Sequence, residues 1–575
     1  MHKPVGKGTQ PFTSRSIAKE LRLSLGFKIA RLCERKSRSS IAALVVALIA
    51  MASVSAALAA SAAGFQDLFT PSGQCIACHN NIVGPQGQDL SIGYAWRTSM
   101  MANSSRDPYW QAGVRREVLD HPQAKAEIED ICATCHMPMA RFQAHTEGAK
   151  GQVFQHLAGT FADAGVTAHA LDGVSCTVCH QVSPGNFGQT SSFDGGFIID
   201  TAKRKGQRQV FGPFSMDAGR QSVMRSATNF TPTESVHIQK SELCATCHTL
   251  YTRSLDAKGE PAGVLPEQMP YLEWLQSDFK STKSCQSCHM PQVAGAAPIT
   301  SMLAQQRPGV SEHVFVGGNA FMQRILGKYA EALGITTPPA EFTAAAKRTE
   351  EHLAAESATV SIAPFTVAGA RVTLDVAIAS LTGHKLPTAY PSRRAWLHVV
   401  VRDAAQNVVF ESGALRGNGS IVGNDNDDDP AKAEPHYALI DNPDQVQIYE
   451  SVMADSAGRV TTSLLSGARY LKDNRLLPRG FDKSAASQDV AVQGGAAQDP
   501  DFTGGGDHVR YAIDVGRSAG PWTATVELNY QPIGFRWAEN LKTYDAAEPK
   551  RFVKYYEDNA AASASLLARA VATSH

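Results

Sequence analysis

Ten of the eleven cysteines fall into five copies of one pattern, C-x-x-C-H. The copies are Cys75, Cys78 and His79; Cys132, Cys135 and His136; Cys176, Cys179 and His180; Cys244, Cys247 and His248; and Cys285, Cys288 and His289. Thiols three residues apart lie on one face of a helical turn, and the histidine that follows lies on the same face. This is the attachment pattern of c-type haem. Each thiol bonds one porphyrin vinyl group, and the imidazole takes one axial position on the iron. Other uses of cysteine fit less well. Exported cysteines form disulfides, but a disulfide needs no histidine after every second cysteine. Zinc ribbons use C-x-x-C pairs without that fixed histidine. A thioredoxin-like site uses one such motif in a βαβ setting, which is missing here. Five motifs of five ending in histidine predict five covalent haems.

The motifs span 215 residues, 43 per haem. That is too little chain to bury each haem in its own domain, so the haems must form much of the core and touch one another. Such a row of irons conducts electrons. Five irons need up to five more axial ligands. The candidates are His237, seven residues before Cys244; His313, just after the last motif; His384, in the turn LTGHKLPTAYP; His121, His145 and His169, with His156 ranked below them; and Met101, beside Met100. A thioether ligand raises a haem potential relative to a second histidine. Met137, Met139 and Met290 follow the motifs directly and suit packing against porphyrin.

Two further clusters bear on chemistry. Asn424 to Asp429 place carboxylates and amides close together, hard oxygen donors that suit Ca2+, although the spacing is not that of an EF-hand. Arg97, Arg106 and Arg115 lie near the first motif. They suit either haem propionates or a small oxyanion at an open iron.

The elements that must position these residues divide the chain. Residues 63–356 read as a mainly helical and irregular pentahaem domain, closed by helices over 321–333 and 340–355 on either side of Pro338-Pro339. From 359 the period becomes two, as in RVTLDVAIAS with Val372, Leu374, Val376 and Ile378 on one face. Short strands continue to about 530. They predict an all-β immunoglobulin-like sandwich over 357–545, with a flexible loop at 485–507. Residues 546–575 read as a C-terminal helix.

Residues 1–62 read as an address. Basic residues from Lys28 to Arg38 precede an apolar run from Ile41 to Leu58, and Ala57–Ala62 suits a signal peptidase. An uncleaved anchor is the alternative. Either way the body is expected in the periplasm or outside the cell, with Cys33 left in the leader. At 43% hydrophobic and 19% charged, the composition is that of a globular protein and excludes collagen, coiled coil and bulk disorder. The first 60 residues carry ten basic and two acidic residues; the rest carry 44 and 52. An acidic body argues against nucleic acid. The expected partners are redox proteins, one donor and one acceptor, with membrane contact only through the leader and with an oligomer or filament open.

With five CxxCH motifs, CHMP after two of them and the segment GVSCTVCH, the N-terminal half resembles the multihaem cytochrome c superfamily. That group includes nitrifier tetrahaem carriers, hydroxylamine oxidoreductase and pentahaem nitrite reductases. The stretch GHKLPTAYPSRRAWLHV and the strands after it resemble the C-terminal module of some respiratory multihaem cytochromes. The resemblance implies covalent haem c and electron transfer. It departs from the nitrite reductases at one point: their catalytic haem typically uses CxxCK, and here every motif ends in histidine. Two functions follow as expectations. One is an electron carrier with every iron capped. The other is an oxidoreductase with one open iron acting on a small nitrogen or sulfur compound.

Overall fold

The computed structural model describes residues 68–159, 164–204 and 206–574. The expected leader, with Cys33, lies outside them. Among the described residues no helix is long and apolar enough to cross a membrane.

The half that carries the motifs is built from short helices joined by irregular chain and by four two-stranded ribbons among the described residues. The helices that matter here are α1 (Ser72–Ile76), α2 (Pro108–Asp120), α3 (Lys125–His136), α4 (Cys176–Cys179), α5 (Ser241–Ala245), α6 (Pro270–Leu275) and α7 (Cys285–His289). The longest of these, α2, has an ordinary start signal. In α2, Asp107 caps the Tyr109 and Trp110 amides and Pro108 stands at the first position. Two more helices follow, α8 (Ala320–Lys328) and α9 (Pro339–Glu356), separated by the expected Pro-Pro break. They cross closely: a Cβ on Gly327 would meet the Phe342 Cβ at 2.8 Å. Phe342 is fully buried there, which contributes about 2–3 kcal/mol.

Beyond α9 come twelve strands in two sheets. One sheet holds β1 (Ala358–Ile362), β2 (Thr366–Ala368), β3 (Arg371–Ser380), β6 (Leu439–Ile440) and β10 (Gly506–Asp514). The order runs β2-β3-β10-β6, with β1 also on β3. The other holds β4 (Arg394–Arg402), β5 (Val408–Ser412), β7 (Ile448–Ala454), β8 (Val460–Thr461), β9 (Arg469–Asp473), β11 (Thr523–Gln531) and β12 (Ser565–Thr573). Its order runs β8-β7-β4-β11-β12, with β5 on β4 and β9 on β7. The pairing is antiparallel except for β6 on β10. The period-two residues Val372, Leu374, Val376 and Ile378 of β3 face Leu397, Val399, Val526 and Leu528 of the other sheet in one buried core. The strands are therefore two layers of a sandwich.

Two expectations change. The helix expected over 546–575 stops early: α10 spans Ala547–Glu557, and Ser565–Thr573 is strand β12, paired along β11. The Ala-rich tail has helical propensity, but the open edge of β11 offers a row of unpaired backbone groups, and satisfying them wins. The loop 485–507 is packed, with Val490, Ala496 and Phe502 buried. The C-terminal part also returns to the helical half, because α10 lies against α2 and Glu548 meets Arg115 at 2.8 Å.

Candidate functional site

Each motif forms one turn of helix or the end of one. The His79, His180 and His248 amides donate to the carbonyl of the first cysteine of their own motifs at 2.9–3.0 Å. That turn sets two thiols and an imidazole on one face. None of the ten motif cysteines is in a disulfide.

Four of the five motif imidazoles are aimed by backbone carbonyls. Nδ1 meets the carbonyl of Ile299 for His79 (2.6 Å), of Ser104 for His136 (2.9 Å), of Phe211 for His180 (2.5 Å) and of Val316 for His289 (2.6 Å). A carbonyl only accepts, so Nδ1 carries the proton and Nε2 keeps its lone pair for a metal. Burial pushes the His136 and His248 rings down to about 4. They are therefore neutral at neutral pH, as ligands must be.

Two of these rings face a second imidazole. His180 and His313 lie 6.3 Å apart between ring centres and 16° from parallel. His289 and His384 lie 6.2 Å apart and 8° from parallel. Two imidazoles bound at about 2 Å on opposite sides of one metal ion have their centres about 6.3 Å apart. The facing rings are held in the same way, His313 Nδ1 by the Ser311 carbonyl (3.2 Å) and His384 Nδ1 by the Lys385 carbonyl (2.9 Å). Burial first, and then the facing ring, bring His313 down to about 3 and His384 to about 4. The donor set fits covalent haem: paired thiols, a fixed tautomer, and in two cases a second imidazole at the right separation.

Thiol contacts show which motifs are neighbours. Cys75 meets Cys176, Cys135 meets Cys247, and Cys244 meets Cys285. Cys179 lies within electrostatic reach of Cys247. The order in space is therefore first, third, fourth, with the second and fifth both joining at the fourth.

The remaining candidates divide. His121 is buried and its Nε2 has no partner, so it offers a donor. His169 is buried near the end of the helix Ala164–Leu171. Met101 sits in a turn whose backbone abuts Gly173–Val174, beside the third motif rather than the first. His237 does not serve as placed. Its Nδ1 meets the Ser235 hydroxyl (2.6 Å) and its Nε2 the Val182 carbonyl (2.8 Å), so both ring nitrogens are used. His145 is exposed and is hydrogen-bonded through Nε2 to Asp130 at 2.7 Å.

The acidic run is not a calcium loop. Arg394 binds both Asp427 oxygens (2.8 and 2.9 Å), Arg416 pairs with Asp428 (3.2 Å) and Lys432 with Asp425 (3.7 Å). Cations of the chain already neutralise these carboxylates. Two of the three arginines considered for an oxyanion are similarly engaged, Arg97 with Glu341 and Arg115 with Glu548. Arg106 has a buried Nε without a partner. A further donor cluster, His436, Asp499 and Asp507, is a closed hydrogen-bond network. His436 Nε2 meets Asp499 (3.0 Å), while Tyr449 and Gln447 donate to Asp507 (2.8 and 3.1 Å).

No family model and no curated protein matches the chain. A solved structure, that of a penta-heme cytochrome c552 from Thermochromatium tepidum, aligns with a TM-score of 0.49 at 16% identity, over 88% of this chain and 100% of that one. The functional reading does not rest on this likeness.

Proposed function

We propose that this protein is an exported pentahaem c-type cytochrome that passes electrons between redox partner proteins, with an immunoglobulin-like sandwich as its second module. The observation that carries the reading is the pair of facing imidazoles at 6.3 and 6.2 Å, one over the third motif and one over the fifth. Haem supplies reversible one-electron exchange at iron. In this reading the ten motif cysteines would hold the five porphyrins, and His79, His136, His180, His248 and His289 would each ligate one iron. His313 and His384 would supply a second imidazole at the third and fifth motifs, leaving no room there for a small ligand. His121 and His169 are offered for two of the others. The backbone carbonyls on Nδ1 of His79, His136, His180, His289, His313 and His384 fix those rings and strengthen Nε2 as a donor. The thiol contacts keep neighbouring attachment turns together, so electrons have a route through the fourth motif.

The second reading is an oxidoreductase with one open iron acting on a small nitrogen or sulfur oxyanion. Arg106, with its unpartnered buried Nε, favours it. The test is to express the full chain with haem maturation, count haem by pyridine haemochrome and record electron paramagnetic resonance of the oxidised protein. Five haems, all low-spin and indifferent to carbon monoxide and nitrite, fit the carrier. About one high-spin haem in five that binds nitrite overturns it for the oxidoreductase.

A further inference from the structure

His384 belongs to the sandwich, yet it stands over a motif of the helical half. The loop that carries it, between β3 and β4, must be held at that distance by something outside itself. Lys385, next to His384, is fully buried, and so is Glu273 on α6, between the fourth and fifth motifs. The Lys385 amide donates to Glu273 Oε2 at 3.1 Å, and the Thr388 hydroxyl donates to the same oxygen. Arg475 Nη1 lies 3.0 Å from Glu273 Oε1, an ion-pair contact not aligned as a hydrogen bond. Arg475 also grips Asp473 through Nε and Nη2 (2.8 and 2.7 Å), and Asp473 holds Lys385 Nζ at 2.7 Å. The four charges form a closed, neutral, buried ring.

Other contacts press the loop down on the same spot. Leu386 and Leu476 exchange backbone hydrogen bonds. A Cβ on Gly383 would come within 3.2 Å of Phe279 and 3.4 Å of Trp274, so the loop lies close against α6 and the turn after it. Three members of the ring, Lys385, Asp473 and Arg475, come from the sandwich half. Glu273 alone comes from the motif half.

We propose that Glu273 is a positioning residue that fixes the sandwich loop so that His384 stands opposite His289. This rests on His384 being the second axial ligand at the fifth motif. Without the Glu273 carboxylate the ring has a surplus positive charge in a buried place, which strongly disfavours the closed geometry. The hydrogen bond to the Lys385 amide, one residue from the ligand, is weakened with it.

The test uses the full haem-loaded chain and reads spin state by electron paramagnetic resonance and carbon monoxide binding in the reduced state. His384→Ala is expected to turn about one haem in five high-spin and open to carbon monoxide. Glu273→Gln is expected to open roughly a third or more of that same haem, and added imidazole should return both variants to low spin. Asp427→Asn breaks a buried ion pair elsewhere in the sandwich and should leave the spin state unchanged. If Glu273→Gln yields too little protein, Thr388→Val removes one donor to Glu273 and keeps all four charges; it should open a smaller share of the haem. An open haem in His384→Ala with wholly capped haem in Glu273→Gln, or in Thr388→Val where that variant stands in, overturns the positioning role. An open haem in Asp427→Asn overturns it too, because the effect would then be general. Fully low-spin His384→Ala overturns the ligand reading itself.

Discussion

His180 and His313 lie 133 residues apart in the chain, and their rings stand 6.3 Å apart and nearly parallel. Each ring has its Nδ1 on a backbone carbonyl, so neither needs a further protein partner at Nε2. His313→Ala should therefore convert about one haem in five from low to high spin with the haem count unchanged. Electron paramagnetic resonance and pyridine haemochrome on one sample check this.

The opposite outcome is expected at His237. Its ring is used up by Ser235 and Val182. His237→Phe should leave all spin states as they are and cost about 1–3 kcal/mol for the buried acceptor left unpaired. A lower melting temperature with an unchanged resonance spectrum is the expected pair of results.

Replacing Cys176 and Cys179 together by alanine should lower the covalent haem content from five to four per chain. Cys75, which touches Cys176, stays able to bind its own haem. Mass spectrometry of the denatured protein reads this directly.

Arg394 and Asp427 form a bidentate pair with side chains 4% and 0% exposed. Asp427→Asn leaves the guanidinium buried and unpaired, which costs about 3–5 kcal/mol. Chemical denaturation followed by far-ultraviolet circular dichroism measures the loss.

Burial pushes the Asp507 carboxyl up to about 7, from 3.8 in the unfolded chain. Between those values the folded state holds a proton that the unfolded state has released, so this group makes stability fall as pH rises through the window. Its contribution is fully present below pH 3.8 and lost above about 7. Asp507→Asn should flatten that part of the stability profile, measured by denaturation at stepped pH.

The motif turns were legible because their signal is local. A spacing of three and four residues is a property of one helical turn, and it survives any tertiary arrangement. The period-two pattern of β3 was equally local, since alternate residues face one core in any sandwich. Two failures have the opposite cause. His237 stands seven residues from Cys244, but the 3-10 turn Val236–Gln239 points its ring at the Val182 carbonyl. The Ala-rich tail has no strand signal of its own; it is a strand because β11 had an open edge.

The sequence by itself determined where two thiols and an imidazole share one turn, because that spacing needs no other part of the chain to set it. The tertiary structure decided which imidazole faces which, and in what order the motifs touch. His384 lies 95 residues beyond His289, on a different sheet-bearing half. It reaches its place through a ring of buried charges drawn from both halves, and no pattern within one segment encodes such a contact. Opposition across a metal depends on distance and angle in space, and those are fixed only when the packed core and its buried charges have nowhere else to go.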